Sequence, residues 1–99
     1  MILTITTNWN EKECTFVIEG RIDTLTSGEL EQAVNENANK CETLIFDMAA
    51  VDYVSSAGIR VIIQAHQTIG KENFILKNVP ANVMELFKMT GFQKVLHFA

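Results

Sequence analysis

The segment Thr43-Leu44-Ile45-Phe46-Asp47-Met48 constrains this chain most. A short, nearly continuous apolar run suits an inner parallel strand buried on both faces, with Asp47 the exception near its end. Parallel strands need crossover connections, and helical patterns flank the run on both sides. Ahead of it, Leu30, Ala33, Val34, Asn37 and Cys41 recur at helical spacing. They follow Thr26-Ser27-Gly28-Glu29, which has the T-x-x-E form of a capping box. Behind it, Ala49 to Val54 reads as a connection. From Ser56 a second helix then places Ile59, Ile62, Ile63, His66 and Ile69 on one face and ends at a glycine cap, Gly70. That face is the strongest periodic signal in the chain.

The remaining segments complete an alternating order. Ile2 to Thr7 alternates apolar residues with threonine, Cys14 to Glu19 is rich in β-branched and aromatic residues, and Asn8 to Lys12 between them is turn-like. This predicts a β-hairpin with Trp9 in its turn. Phe74-Ile75-Leu76 predicts another strand. Pro80 fits the first turn of a third helix, Val83, Leu86, Phe87 and Thr90 form its inner stripe, and Gly91 closes it. Met84, Met89 and Phe87 are expected in the core. Val95 to Phe98 supplies a last short strand. The order β-β-α-β-α-β-α-β, with right-handed crossovers between parallel neighbours, predicts an α/β fold: a mixed sheet of hairpin plus parallel strands with helices packed on it. Without repeats or linkers, residues 1–99 read as a single domain.

Composition excludes several classes of function. The 8 Lys+Arg and 12 Asp+Glu give a net charge of −4 and no basic run, which argues against a nucleic-acid partner. No apolar stretch approaches the ~18 residues of a membrane helix, and the N-terminus lacks a signal-peptide pattern, so a soluble cytoplasmic protein is expected. Cys14 and Cys41 have neither C-x-x-C spacing nor a nearby histidine; two free, mostly buried thiols are expected, with no metal site and no cofactor.

Chemistry concentrates where the inner strand gives way to the second helix, at Val51-Asp52-Tyr53-Val54-Ser55-Ser56-Ala57-Gly58-Ile59-Arg60. Two hydroxyls arrive as a helix begins. One reading makes Ser55 or Ser56 an N-cap. The other makes an exposed serine there an acceptor for phosphate, which the free amides and the helix dipole favour. Arg60, four residues on, either reaches back to such a phosphate or is a solvated surface arginine. His66 is expected to be a partly buried, hydrogen-bonded packing residue. A hydrolase would need a nucleophile elbow, and the loop lacks its first glycine. A receiver-like role for Asp47 would need an acidic pair and a lysine that are not evident. A nucleotide-binding domain would need a glycine-rich cradle, and Gly58 stands alone. The chain is therefore not expected to be an enzyme.

The loop from Val51 to Arg60 resembles the signature loop of the STAS domain, as found in bacterial anti-sigma-factor antagonists. Glu19-Gly20-Arg21-Ile22-Asp23 and Val83-Met84-Glu85-Leu86-Phe87-Lys88-Met89-Thr90-Gly91-Phe92 match the same family in order and spacing. The resemblance implies a STAS fold and a non-enzymatic protein that binds an anti-sigma factor, itself an ATP-dependent serine kinase, and so frees a sigma factor. It also implies that phosphorylation switches binding off and that a phosphatase resets it. In the family pattern the phosphoacceptor lies two residues before the glycine, which is Ser56 here, with Ser55 as second candidate. The partner surface it implies comprises Asp23, Ser55, Ser56, Ala57, Gly58 and Arg60. Two positions depart from the pattern: Ser55 stands where many relatives carry Asp, and Ala57 where they carry a second hydroxyl. The rival implication is a constitutive STAS scaffold, such as a regulatory subunit of a lipid-transport ABC assembly, in which no phosphorylation occurs.

Overall fold

The computed structural model of the protein describes residues 2–99. The elements are β1 (Thr4–Asn10), β2 (Glu13–Ile22), α1 (Ser27–Asn37), β3 (Thr43–Val54), α2 (Ser56–Ile69), β4 (Phe74–Lys77), α3 (Ala81–Thr90), a 3-10 turn (Phe92–Lys94) and β5 (His97–Phe98). The sheet runs β1-β2-β3-β4-β5, antiparallel in the hairpin and parallel from β2 onward. The predicted α/β mixed sheet and its element order are those observed.

Because each crossover steps to the next strand in the same direction, the right-handed rule places all three helices on one face of the sheet. That face holds the core. Phe16 and Ile18 of β2, Leu44, Phe46 and Met48 of β3, and Phe74 and Leu76 of β4 are buried against Leu30, Ile62 and Phe87 of the helices. The opposite face carries no helix, so the burial expected for both faces of β3 comes on that side from the neighbouring strands alone. Ile45 points to that open face yet is only 8 % exposed, flanked in register by Thr15 and Ile75.

β3 extends six residues beyond the apolar run, through the stretch read from the sequence as a connection. The reason is two irregularities in the β2–β3 ladder, where Val17 pairs with Asp47 but Glu19 with Ala50, and Gly20 with Val51 but Arg21 with Tyr53. Each inserts one extra residue into β3. Inward positions therefore run Leu44, Phe46, Met48, Val51, Val54, and the period of two becomes three. Gly20 sits at this irregularity with φ of +110°, and a side chain there would meet the Ile2 carbonyl oxygen at 2.5 Å. β1 and β2 also run longer than predicted, closing the hairpin to the two residues Glu11 and Lys12. Trp9 consequently lies in β1 opposite Cys14, not in the turn.

Smaller corrections follow from local competition. Cys41 lies beyond α1, which ends at Asn37. Val95 and Leu96, expected in the last strand, instead donate their amides to the Phe92 carbonyl of the 3-10 turn, both at 3.0 Å, leaving β5 only His97–Phe98. Pro80 is the residue before α3 rather than part of its first turn. Phe87 is core and Met84 half-buried, but Met89 is 78 % exposed. His66 is half-buried as expected, yet its buried Nδ1 has no hydrogen-bond partner among the described residues. Burial pushes the Cys14 thiol up to about 11, with Cys41 adding to the shift, and raises Cys41 as well, so both stay protonated near neutrality.

Candidate functional site

The site forms where β2 and β3 end side by side. Ile22 is the register partner of Val54, and the Ser55 amide donates to the Ile22 carbonyl at 2.8 Å. This backbone bond brings the turn after β2 next to the start of α2, although the two are some thirty residues apart in sequence. Gly58 completes the junction. A Cβ at Gly58 would meet Ile22 Cγ2 at 2.7 Å, the Ile22 carbonyl oxygen at 2.9 Å and Val54 Cγ1 at 3.0 Å. Gly58→Ala should therefore lower stability by about 1–3 kcal/mol, the usual cost of overpacking a filled interior. Urea unfolding measures it, and an unchanged midpoint would mean that α2 can slide without penalty.

The two serines divide the work. Ser55 is the N-cap: its backbone is extended and its Oγ accepts from the Gly58 amide at 3.2 Å. Ser56 is the first residue of α2, exposed, and its hydroxyl takes no part in the side-chain hydrogen bonds of the described residues. The first turn of α2 carries no acidic residue, so the dipole of this 14-residue helix meets no opposing charge there. Ala57 is half-buried, and Arg60 is exposed one turn further on, outside ion-pair distance of any described carboxylate. Ser56 stands between two hollows. One, of about 190 Å³, is bounded by Tyr53, Ser55, Asn82 and Leu86. The other runs along α2.

Asp23 builds the neighbouring turn. Its Oδ1 accepts from the amides of Leu25 and Thr26, both at 3.0 Å, while its own amide donates to Thr26 Oγ1 at 2.9 Å. The Thr26 hydroxyl in turn donates to the Arg21 carbonyl at 2.6 Å. Thr26 therefore makes no side-chain cap bond, and the T-x-x-E pattern does not form a capping box. Its hydroxyl is already committed, and its backbone is helical where an N-cap is extended. The turn lifts Leu25 to 90 % exposure. Beside it the Arg21 guanidinium lies 4.3 Å from the centroid of the Tyr53 ring, itself 42 % exposed, and Arg21 Nε is 3.6 Å from Asp23 Oδ2.

The Thr26 amide, then the Thr26 hydroxyl, the Leu25 amide and Arg21, hold the Asp23 carboxyl below its ordinary value of 3.8 against the opposing effect of desolvation. A carboxylate with a lowered folded-state value stabilises the fold in full above its unfolded value and loses that contribution as the pH falls through the lowered one. Stability should therefore decline below pH 3.8, and Asp23→Asn should flatten that part of the decline. Urea midpoints measured from pH 2 to 7 test this; parallel acid limbs in the two proteins would contradict it.

The resemblance implied a partner surface of Asp23, Ser55, Ser56, Ala57, Gly58 and Arg60; the structure brings the first five to the β2–β3–α2 junction with Arg60 one helical turn away, but Gly58 is buried there and packs against Ile22 and Val54 instead of reaching the surface. Sequence reasoning did not identify Leu25 or the Arg21–Tyr53 pair. Leu25 lies two residues after Asp23 in a turn, outside any periodic apolar pattern. Arg21 and Tyr53 meet only through the shifted register. An exposed tyrosine and an arginine together are the residue types enriched where proteins dock. Among the described residues no group of three His, Cys, Asp or Glu is placed to hold a metal ion, and no helix is long and apolar enough to cross a membrane.

Comparison with known proteins agrees with this geometry. The STAS domain model matches residues 4–99. BtrV of Bordetella bronchiseptica, whose name provisionally makes it an anti-sigma factor antagonist, is 28% identical over 87 residues, covering 83% of this chain and 73% of its own. The crystal structure of an anti-sigma factor antagonist from Mycobacterium paratuberculosis superposes with a TM-score of 0.87 at 23% identity, over 98% of this chain and 85% of that one. The phosphorylated form of the Bacillus cell fate determinant SpoIIAA superposes with a TM-score of 0.74 at 13% identity, over 97% and 91% of the two chains.

Proposed function

This chain belongs to the STAS domain family, and on that premise we propose that it works as an anti-sigma factor antagonist whose hold on its partner is released by phosphorylation of Ser56. The partner is an anti-sigma factor with serine-kinase activity, which supplies the ATP. Binding it frees a sigma factor, and a phosphatase later restores the serine. The chain itself contributes a docking surface and an acceptor hydroxyl, and no catalysis. One observation carries the reading: of the two serines at the junction, Ser55 is consumed as the cap, whereas Ser56 is exposed and unbonded, lining a hollow with Tyr53. The name of a structural neighbour, SpoIIAA in its phosphorylated form, supports the modification as one this fold can carry.

The physics of release is local. A phosphate adds roughly −1.5 to −2 charges at pH 7, and at the start of α2 it is favoured by about 0.3–1 kcal/mol. The fold keeps its shape while the docking surface gains a group that is costly to desolvate. The test is intact mass with peptide mapping after incubation with the candidate anti-sigma kinase and ATP. One phosphate on Ser56 is expected. An unmodified chain, with the kinase active on another substrate, would favour a constitutive scaffold instead.

A further inference from the structure

β1 and β5 are the two edges of the sheet, and they are built differently. An edge strand leaves amides and carbonyls without partners, a template for another chain that proteins blunt with shortness, charge, proline or a bulge. β5 is blunted by its length of two residues. β1 has none of these devices. It runs for seven residues, and its register with β2 is unbroken from Thr4 opposite Glu19 to Asn10 opposite Glu13. Residues 2–10 hold neither a proline nor a charged side chain, in a chain that is 20% charged.

We propose that β1 is a self-association edge: it pairs with β1 of a second copy, antiparallel about a two-fold axis through Thr7, and joins the two five-stranded sheets into one. The strand's own complementarity selects that occupant. Thr7 is the midpoint of β1, and centring there is the one antiparallel register that pairs all seven residues. Ile5, Thr7 and Trp9 lie opposite Ile18, Phe16 and Cys14 of β2, all buried, and so share the face that carries the helices. On that face Ile5 of each copy meets Trp9 of the other, an aromatic and β-branched pair of the kind that stabilises sheets. Trp9 is 43 % exposed and Ile5 half-buried, so both have surface left to cover. On the opposite face Thr6 meets Asn8 and Thr4 meets Asn10, all four exposed and able to hydrogen-bond. No position sets like charges against each other, although the chain carries a net charge of −4.

The contact is small, one strand from each copy, and falls short of a permanent interface. A reversible dimer that forms as concentration rises is therefore expected. β2 lies between β1 and β3, so the pairing uses neither Ser56 nor α2, and the inference stands apart from the function proposed above. A two-fold axis perpendicular to the sheet keeps the helices of both copies on one side.

Sedimentation equilibrium over a concentration series, with amide hydrogen exchange at its two ends, tests this on the natural chain. The mass should rise from 11.1 kDa toward twice that value, and exchange should slow in β1 alone. Thr7→Lys and Thr7→Glu each set like charges together at the axis and should weaken self-association roughly tenfold or more. Their melting curves should not change, because Thr7 is exposed. Mixed in equal amounts, the two variants should form the heterodimer that neither forms with itself. A natural chain still monomeric at about 1 mM, or a dimer that Thr7→Lys leaves as tight as before, would overturn the proposal. Exchange slowed in β5 or the helices instead of β1 would overturn it too, by placing the contact elsewhere. So would a monomer whose affinity for the anti-sigma factor falls in Thr7→Lys, since the edge would then belong to a strand of that partner.

Discussion

Phosphorylated protein should melt within a few degrees of the unmodified protein and bind its anti-sigma factor roughly 100- to 1000-fold more weakly. The magnitude follows from two competing costs. At the start of α2 the added charge is favoured by about 0.3–1 kcal/mol, so the fold loses nothing. In a closed interface the same group must be stripped of water, at an effective cost of several kcal/mol, and each ~1.4 kcal/mol is a factor of ten in affinity. Ser56→Asp carries about half the charge and should weaken binding in the same direction by less. Ser56→Ala should bind at full strength and resist release by kinase and ATP. Ser55→Ala should behave differently from both, losing about 1 kcal/mol of stability with the cap bond to Gly58 while remaining a kinase substrate. Equal affinity of Ser56→Asp and Ser56→Ala, by calorimetry at one ionic strength, would remove the switch.

The largest loss of stability is expected from Phe46→Ala, about 3–5 kcal/mol, which is a large part of the ~5–15 kcal/mol that holds a domain folded. Phe46 lies on β3 at the middle of the sheet, fully buried. Its ring stacks on Phe16 at a centroid distance of 5.5 Å and an angle of 12°, and meets Phe74 edge-on at 4.9 Å and 86°. Removing it deletes the shared member of both contacts and opens a cavity between three strands and the helices above. Phe98 provides the contrast. It touches Phe87 at 5.7 Å on the two-residue edge strand β5 and is half-buried, so Phe98→Ala should cost less than half as much. Urea unfolding of the two variants side by side decides the matter, and similar midpoints would mean that the core is not centred on Phe46.

Much of this architecture is legible in the chain because helix and strand periods are local. Val83 and Phe87, Ile59 and Ile62, and the run from Leu44 to Met48 each announce their element without help from distant residues. Legibility fails where a contact from elsewhere resets the local rule. Ala49 to Val54 does not alternate because two irregularities opposite Val17 to Arg21 change its period. Thr26 has the sequence of a cap but spends its hydroxyl on Arg21 and Asp23. Trp9 reads as turn, and only its pairing with Cys14 makes it strand.

At the candidate site the same division holds. The residues alone indicated that a hydroxyl pair begins a helix after a buried strand, that Gly58 follows it at the spacing of a known loop, and that neither metal nor nucleotide chemistry has its usual ligands there. Tertiary structure decided which hydroxyl is free, because the cap goes to the serine whose amide is held by Ile22 and whose Oγ then faces the Gly58 amide. It decided that Asp23 shapes a turn presenting Leu25, that Arg21 lies over Tyr53, and that α2 and Phe92 leave a groove beside Arg60. Sequence patterns report the periodic demands of burial along one element. Caps, shifted registers and grooves depend on where separate elements meet, and that is fixed only when the sheet brings Ile22, Val54 and Gly58 together.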